Sequence, residues 1–468
     1  MPSGPDPFLL LIAALALLPL AFAVCLRTPA TVALGFVSIL CLFSSSTWGQ
    51  LQEENTIYAR GTGLFAFSLL NLLLWVAVAA TAMRVMTRQD RLLSPSPFPA
   101  FLAAFGFMLA AHLALGLISG VTALEVLGYN GILNVLNMAL FSVLLLAAIR
   151  NERERRRLLM LVLALAAVRA VFGLVRYKFL GGDNANPYRN FEKLDIKLVY
   201  FDIADNYIAA LAAFCIAWLL LMPGVRMSLL RRALLTGLFA LEIATVALSF
   251  RRSSLVGLGL MFVVLLWQLP WQRRIVSGGL GALAMIVGAA TLMRERLQFN
   301  TRQGGFLSSL LYDVGPQRAT EVSRFYELEA AAKSLDGNWL FGLGSWGSFY
   351  GNEEALDYHF GKFDFVHSGF GHLILKSGFV GLLLFVALLA AFVSHYLKYR
   401  RGLHGNSALL ADAGAAGLLF WLPTLLIGTP IIEFRSMLLI GLTLVLPYLH
   451  PAVKFARPLY LPVRHAAA

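Results

Sequence analysis

The sequence predicts an all-α integral membrane protein of about 12–13 transmembrane helices carrying one long helical loop in water. Three observations lead there. Apolar residues make up 59% of the chain and charged residues only 13%, against about 25% charged in a soluble domain. Mean hydropathy is +0.74. Apolar runs long enough to cross a hydrocarbon core of about 30 Å as a helix recur along most of the chain.

In order, these runs lie at 8–26, 30–46, 62–85, 100–121, 131–149, 158–175, 204–222, 233–250, 255–269, 275–292, 370–397, 409–428 and 431–449. One of them could be interfacial, which leaves twelve spans. The run from Phe8 has no preceding Lys or Arg and no small-residue cleavage pattern, so it is expected to be a first span and not a removed signal. The chain divides into N-terminal spans (1–149), central spans (150–292), a long polar loop (293–367), and C-terminal spans with a tail (368–468). Cys25, Cys41 and Cys215 all fall inside apolar runs, so no disulfide framework is expected.

The net charge of +13 would suggest nucleic acid in a soluble domain. Here the cations gather in short loops between apolar runs, as orientation signals do, and nucleic-acid binding is not expected. Arg84, Arg88 and Arg91, the run 150–157, Arg226 with Arg231 and Arg232, Arg273 and Arg274, Lys398 with Arg400 and Arg401, and Lys454, Arg457 and Arg464 occupy alternate connections, so all are expected on the cytoplasmic side. Three polar elements then meet the opposite compartment: the loop 178–205, the hairpin tip 251–254 and the long loop 293–367.

Long connections in compact proteins are usually functional or disordered. In this one, Val322, Tyr326, Leu328, Ala331 and Leu335 stand at helical spacing and predict an amphipathic helix over 317–334, either a plain surface lid or the carrier of a site. The loop also holds Arg318, Arg324, His359, His367, the carboxylates Glu353, Glu354, Asp357 and Asp364, and a Gly-Leu-Gly turn at 342–344.

At the hairpin tip, Arg251 and Arg252 are either interfacial anchors or an anion clamp, because a guanidinium fork matches phosphate oxygens two at a time. Arg169, Glu242 and Asp412 lie inside apolar runs, where ionisable groups pair with one another or line a pathway. His367 stands just outside a span, and imidazole exchanges protons near neutral pH, so it is a polar anchor or a general base; His359 and His372 compete for the second role. No His-x-x-x-His or cysteine-based spacing points to a metal, and no cofactor is expected.

Several stretches together carry a family resemblance. They are Arg324-Phe-Tyr-Glu-Leu-Glu-Ala-Ala-Ala-Lys, Asn338-Trp-Leu-Phe-Gly-Leu-Gly-Ser, His367-Ser-Gly-Phe-Gly-His through Gly378 and Gly381, the tip Arg251-Arg252-Ser253-Ser254, and Tyr188-Arg189 with Asp205-Asn206. Their order and spacing over roughly residues 150–400 resemble the O-antigen ligase and O-antigen polymerase superfamily. Ser368 stands where that family usually has Asn, Asn338-Trp339 replaces its Asn-Pro-type entry to the glycine turn, and Lys376 stands where a carboxylate is common.

The resemblance implies a GT-C-like glycan transferase of the bacterial inner membrane with its active site facing the periplasm. It would take a glycan from undecaprenyl diphosphate and pass it to a hydroxyl on lipid A–core (ligase) or on another lipid-linked glycan (polymerase, as for an exopolysaccharide). His367 would be the base. Arg252 and Arg324 would meet the leaving diphosphate without a metal, helped by Arg251, Arg189 or Arg318, and attack opposite the diphosphate would invert the anomeric centre. Two other classes compete: a polysaccharide transporter, for which Arg169, Glu242 and Asp412 would line a path, and a non-catalytic assembly protein.

Overall fold

The computed structural model describes residues 7–44, 57–58, 67–88, 95–128, 130–183, 197–222, 227–279, 281, 319–351 and 362–450; the side chains of 7–15, 88 and 319–325 lie outside the description. The described residues form a helical bundle with one two-residue strand pair. In chain order the helices are α1 (Pro7–Arg27), α2 (Pro29–Leu42), α3 (Leu69–Arg88), α4 (Phe98–Ile118), the short α5 (Ala123–Val126), α6 (Leu133–Ala148), α7 (Glu152–Phe179), α8 (Ile203–Leu221), α9 (Leu229–Ala247) and α10 (Arg252–Gln268). After the long loop come α11 (Ala319–Ser334), α12 (Gly369–Tyr399), α13 (Gly405–Ile427) and α14 (Phe434–Val445).

Six of these helices are long and apolar enough to cross a membrane, and five shorter apolar helices accompany them among the described residues. Twelve of the thirteen apolar runs coincide with described helices; the run 275–292 lies mostly outside the description. The amphipathic reading of the long loop produces α11 nearly as expected.

Local signals set several boundaries. Asn151 and Glu154 form a capping box at the start of α7, and Asp202 accepts from the Ala204 amide at the start of α8. Each satisfies backbone donors that the first turn leaves open. Helix α8 is buried on every side, as expected of a helix with no polar face. Its Tyr207 lies 5.0 Å from the Trp421 ring and 5.5 Å from Phe420, with its hydroxyl 2.6 Å from Thr443 Oγ1.

Arg169, Asp205, Arg435 and Asp412 are paired inside the bundle, though not as the sequence alone suggested. Arg169 has Asp205 as its partner at 2.7 Å and not Glu242. Asp205 also receives Arg435 at 2.6 Å, and Arg435 reaches Asp202 at 2.8 Å and the Leu40 carbonyl at 2.9 Å. Asp412 is held by Arg400, by Trp218 Nε1 at 2.8 Å and by the Tyr396 hydroxyl at 2.8 Å. These two clusters tie helices together, and neither presents a row of charges along a path. Glu242 is fully buried with neither carboxylate oxygen bonded to a described residue.

Breaking a buried pair leaves an uncompensated charge, which costs about 3–5 kcal/mol. Arg435→Met, which removes the buried guanidinium that bridges Asp202 and Asp205, is therefore expected to lower the thermal unfolding midpoint of the purified protein sharply. An unchanged midpoint would mean that the cluster does not hold α8 to α14.

Candidate active site at one end of the bundle

The polar elements gather at one end of α13. Helix α10 meets α13 where Gly257 faces the Phe420 backbone, and α12 meets it where Gly369 faces the Leu425 backbone. Arg252 lies five residues before Gly257 and His367 two before Gly369, and a helix rises about 1.5 Å per residue, so both stand at the C-terminal end of α13. The Asp202, Asp205 and Arg435 cluster occupies the same end, because α14 follows α13 directly and α8 begins at Ile203.

The long loop is fastened here by a broken helix. Helix α12 is interrupted at Gly378, whose backbone is at φ 62°, ψ −165°. The turn 338–343 inserts into that break. The Phe379 amide donates to the Trp339 carbonyl (2.8 Å), Val380 to Leu340 (3.1 Å) and Leu343 to the Leu375 carbonyl (2.8 Å). Backbone groups opened by the interruption therefore find partners, which an apolar surrounding requires. Gly342 and Gly344 have φ +72° and +83°, a region that favours glycine. Trp339 stacks on Phe379 at 5.9 Å. The Gly-Leu-Gly turn and the glycines of the following span, read separately in the sequence, are two halves of one joint.

Further pins complete the attachment. Ser345 Oγ accepts from the Ile132 amide and donates to the Val126 carbonyl, and Lys376 Nζ, buried in α12, donates to the Gly347 carbonyl at 2.5 Å. At the one position where the resemblance leads one to expect a carboxylate, this chain uses an amine to hold the loop. Ser368 is the N-cap of α12, its Oγ accepting from the Gly371 amide at 3.1 Å; serine and asparagine are comparable caps, so this departure preserves the local geometry.

On this base sits a small separate core of Ala330, Ala331, Phe349, Val366 and Leu375, packed under Leu328, Leu343 and Phe363. Strands β1 (Phe349–Tyr350) and β2 (Lys362–Phe363) pair antiparallel across it. Leu328, Ala331 and Leu335 face inward as expected, whereas Tyr326 is left 39% exposed.

The product of this packing is a histidine–carboxylate dyad. The His367 ring Nδ1 lies 3.0 and 2.9 Å from the two Glu327 oxygens, and the His367 amide donates to the same carboxylate at 3.1 Å. The Phe365 ring meets the imidazole edge to face at 5.1 Å. Glu327 is nearly buried, with 10% of its side chain exposed against 36% for His367. A carboxylate at Nδ1 selects the tautomer with the proton there, so Nε2 carries the lone pair. Among the described residues Nε2 has no hydrogen-bond partner. The arrangement can take a proton from a hydroxyl approaching Nε2 while Glu327 stabilises the imidazolium that forms.

The other expected site residues are distributed as follows. Arg324 stands three positions before Glu327 in α11, with its side chain outside the description. Arg252 opens α10 and is half-buried. Arg251 is engaged with the neighbouring loop: its guanidinium lies 5.0 Å from the Phe201 ring centroid and donates to the Phe201 carbonyl. Arg189, Arg318 and His359 lie outside the described residues, as do Glu353, Glu354 and Asp357. His372 is fully buried one turn into α12. Glu327 escaped the sequence reading, although a signal was present: it is a carboxylate beside Leu328, on the flank of an amphipathic helix that its apolar neighbours bury.

Fold and site thus define a multi-pass, all-α membrane protein that carries a clamped loop with a histidine–carboxylate dyad. Residues 235–386, about a third of the chain, match the family described as O-antigen ligase, which supports the resemblance to the O-antigen ligase and O-antigen polymerase superfamily. The matched segment begins in α9, includes Arg252, Arg324, Glu327 and His367, and ends within α12. No curated protein matches the chain significantly. The matched family suggests glycosyl transfer in general, in a membrane setting.

Proposed function

We propose that the protein is an O-antigen ligase that moves a glycan from undecaprenyl diphosphate to a hydroxyl of lipid A–core, at the periplasmic face of the inner membrane. The observation that carries this reading is the His367–Glu327 dyad at the junction of loop and membrane, inside the matched segment. The acceptor O–H gives its proton to His367 Nε2 as its oxygen bonds to the anomeric carbon. The bond from that carbon to the diphosphate oxygen breaks, and undecaprenyl diphosphate leaves with the electron pair. Attack from the side opposite the diphosphate inverts the centre. Negative charge grows on the diphosphate, where fixed guanidiniums give most stabilisation; Arg252 and Arg324 take this role without a metal, and Arg189, Arg318 or Arg251 add to it. Of these, Arg251 is the weakest candidate, because its guanidinium already holds the Phe201 loop.

A diphosphate on a lipid chain also explains why the loop is built on a joint within a span: the site must be reached from the bilayer as well as from water. Polymerase chemistry would use the same dyad on a different acceptor. The test is the glycan profile of cells lacking the chromosomal gene and carrying the protein or its Glu327→Ala variant. That variant frees Nδ1 and is expected to cut transfer by about two orders of magnitude while inserting normally. Long polymer accumulating on undecaprenyl diphosphate, with none on lipid A–core, is the ligase outcome. Single repeats on the acceptor identify a polymerase. An unaltered profile would remove the dyad from the mechanism.

A further inference from the structure

A cleft of about 350 Å³ runs along the flank of α11, lined by Tyr326, Glu329, Ala330, Lys333 and Ser334 from the helix and by Tyr350 and Gly351 from the strand side. Its size falls within the range of about 300–1,000 Å³ typical of small-ligand sites. The helix residues form one stripe, and Tyr326 immediately precedes Glu327 of the dyad. Tyr350 is 71% exposed next to the fully buried Phe349, so β1 plants one ring in the core beneath the dyad and presents the next to water.

We infer that this cleft is a glycan subsite, which holds saccharide units of the donor or acceptor beside the reacting hydroxyl. The inference rests on the transferase reading for its biological setting but on its own residues for its chemistry. Sugars present C–H faces that pack on aromatic rings and hydroxyls that both donate and accept. The cleft offers tyrosine rings on two of its walls. It also offers a carboxylate acceptor at Glu329, an ammonium donor at Lys333 and hydroxyls from Tyr326, Tyr350 and Ser334, a donor and acceptor set suited to polyols. Glu329 and Lys333 pair at 2.7 Å while both remain more than half exposed. Such a surface pair is weakly held, so either partner can exchange to a sugar hydroxyl at little cost. Strand alternation alone would expose whatever residue followed Phe349; what exceeds that account is a second exposed tyrosine across the same cleft.

The experiment is saturation-transfer NMR on the full-length protein in nanodiscs, with two probes: glycan released by mild acid from the carrier lipids of the producing cells, and delipidated core oligosaccharide from the same cells. Wild type and His367→Ala should both bind one of them, and which one tells whether donor or acceptor occupies the cleft. The Tyr326→Ala/Tyr350→Ala double variant should bind about tenfold more weakly, corresponding to about 1.4 kcal/mol, whereas the double Phe variant, which keeps the rings, should retain most of the binding. Equal binding by the double Ala variant, or no binding of either probe by wild type, would overturn the assignment. Glycan binding by a wild type that transfers nothing would instead leave the cleft standing and remove the transferase reading.

Discussion

Gly378→Val is expected to eliminate folded protein from the membrane fraction, at a cost above about 4 kcal/mol, a size reserved for changes that break a specific structural device. Gly378 has φ 62°, where a β-branched residue is strained. A Cβ there would also collide with the backbone of Leu340 and Phe341, which cannot move aside as a flexible side chain could. Displacing the turn 338–343 would orphan the Phe379 and Val380 amides in an apolar surrounding. Gly342→Ala should act similarly, since its Cβ would lie 2.6 Å from the Gly378 nitrogen and 2.7 Å from that of Ser377. Gly237→Ala is the control: nothing lies within 4 Å of its Cβ position, and in mid-helix alanine should be neutral or slightly stabilising. Size-exclusion chromatography of detergent extracts separates these cases. Recovery of monodisperse Gly378→Val protein would show that the turn and the broken helix are not coupled.

His367→Ala should lower the rate of transfer by about 10²–10⁴, the usual contribution of a positioned general base, without loss of insertion. The ring is 36% exposed and its bonds to described residues are those to Glu327, so its removal leaves the bundle core untouched. His367→Gln retains a donor toward Glu327 but has no basic nitrogen, and should be as inactive as alanine. That comparison separates proton transfer from loop anchoring: a Gln variant with near-normal rate would make His367 a structural pin.

The apolar helices were legible because a bilayer demands about 20 consecutive apolar residues per helix, and run length survives in one dimension; of about 12–13 expected spans, six described helices are long and apolar enough to cross. Helix α11 was legible because its apolar positions repeat at helical spacing. What the sequence concealed was pairing across distance. Glu327 and His367 are 40 residues apart, and a carboxylate in Arg324-Phe-Tyr-Glu-Leu-Glu looks like ordinary helix-surface charge until the opposing loop is seen. The Gly342 turn and Gly378 carried separate meanings until hydrogen bonds joined them. Arg169 looked toward Glu242 because both stood out in apolar runs, yet its partner Asp205 sits at the edge of the α8 run, where it reads only as part of the Asp205-Asn206 pair. Lys376 departed from the family pattern for a reason no spacing reveals, namely a buried amine tied to the Gly347 carbonyl.

Reconstitution would show whether this chain transfers a glycan from a lipid diphosphate to a hydroxyl. Purified protein in nanodiscs would receive labelled undecaprenyl-diphosphate glycan and lipid A–core, with product linkage determined by NMR. One undecaprenyl diphosphate should be released for each glycan joined to the acceptor, with the anomeric configuration inverted. Donor left intact, or a new linkage of retained configuration, would contradict it.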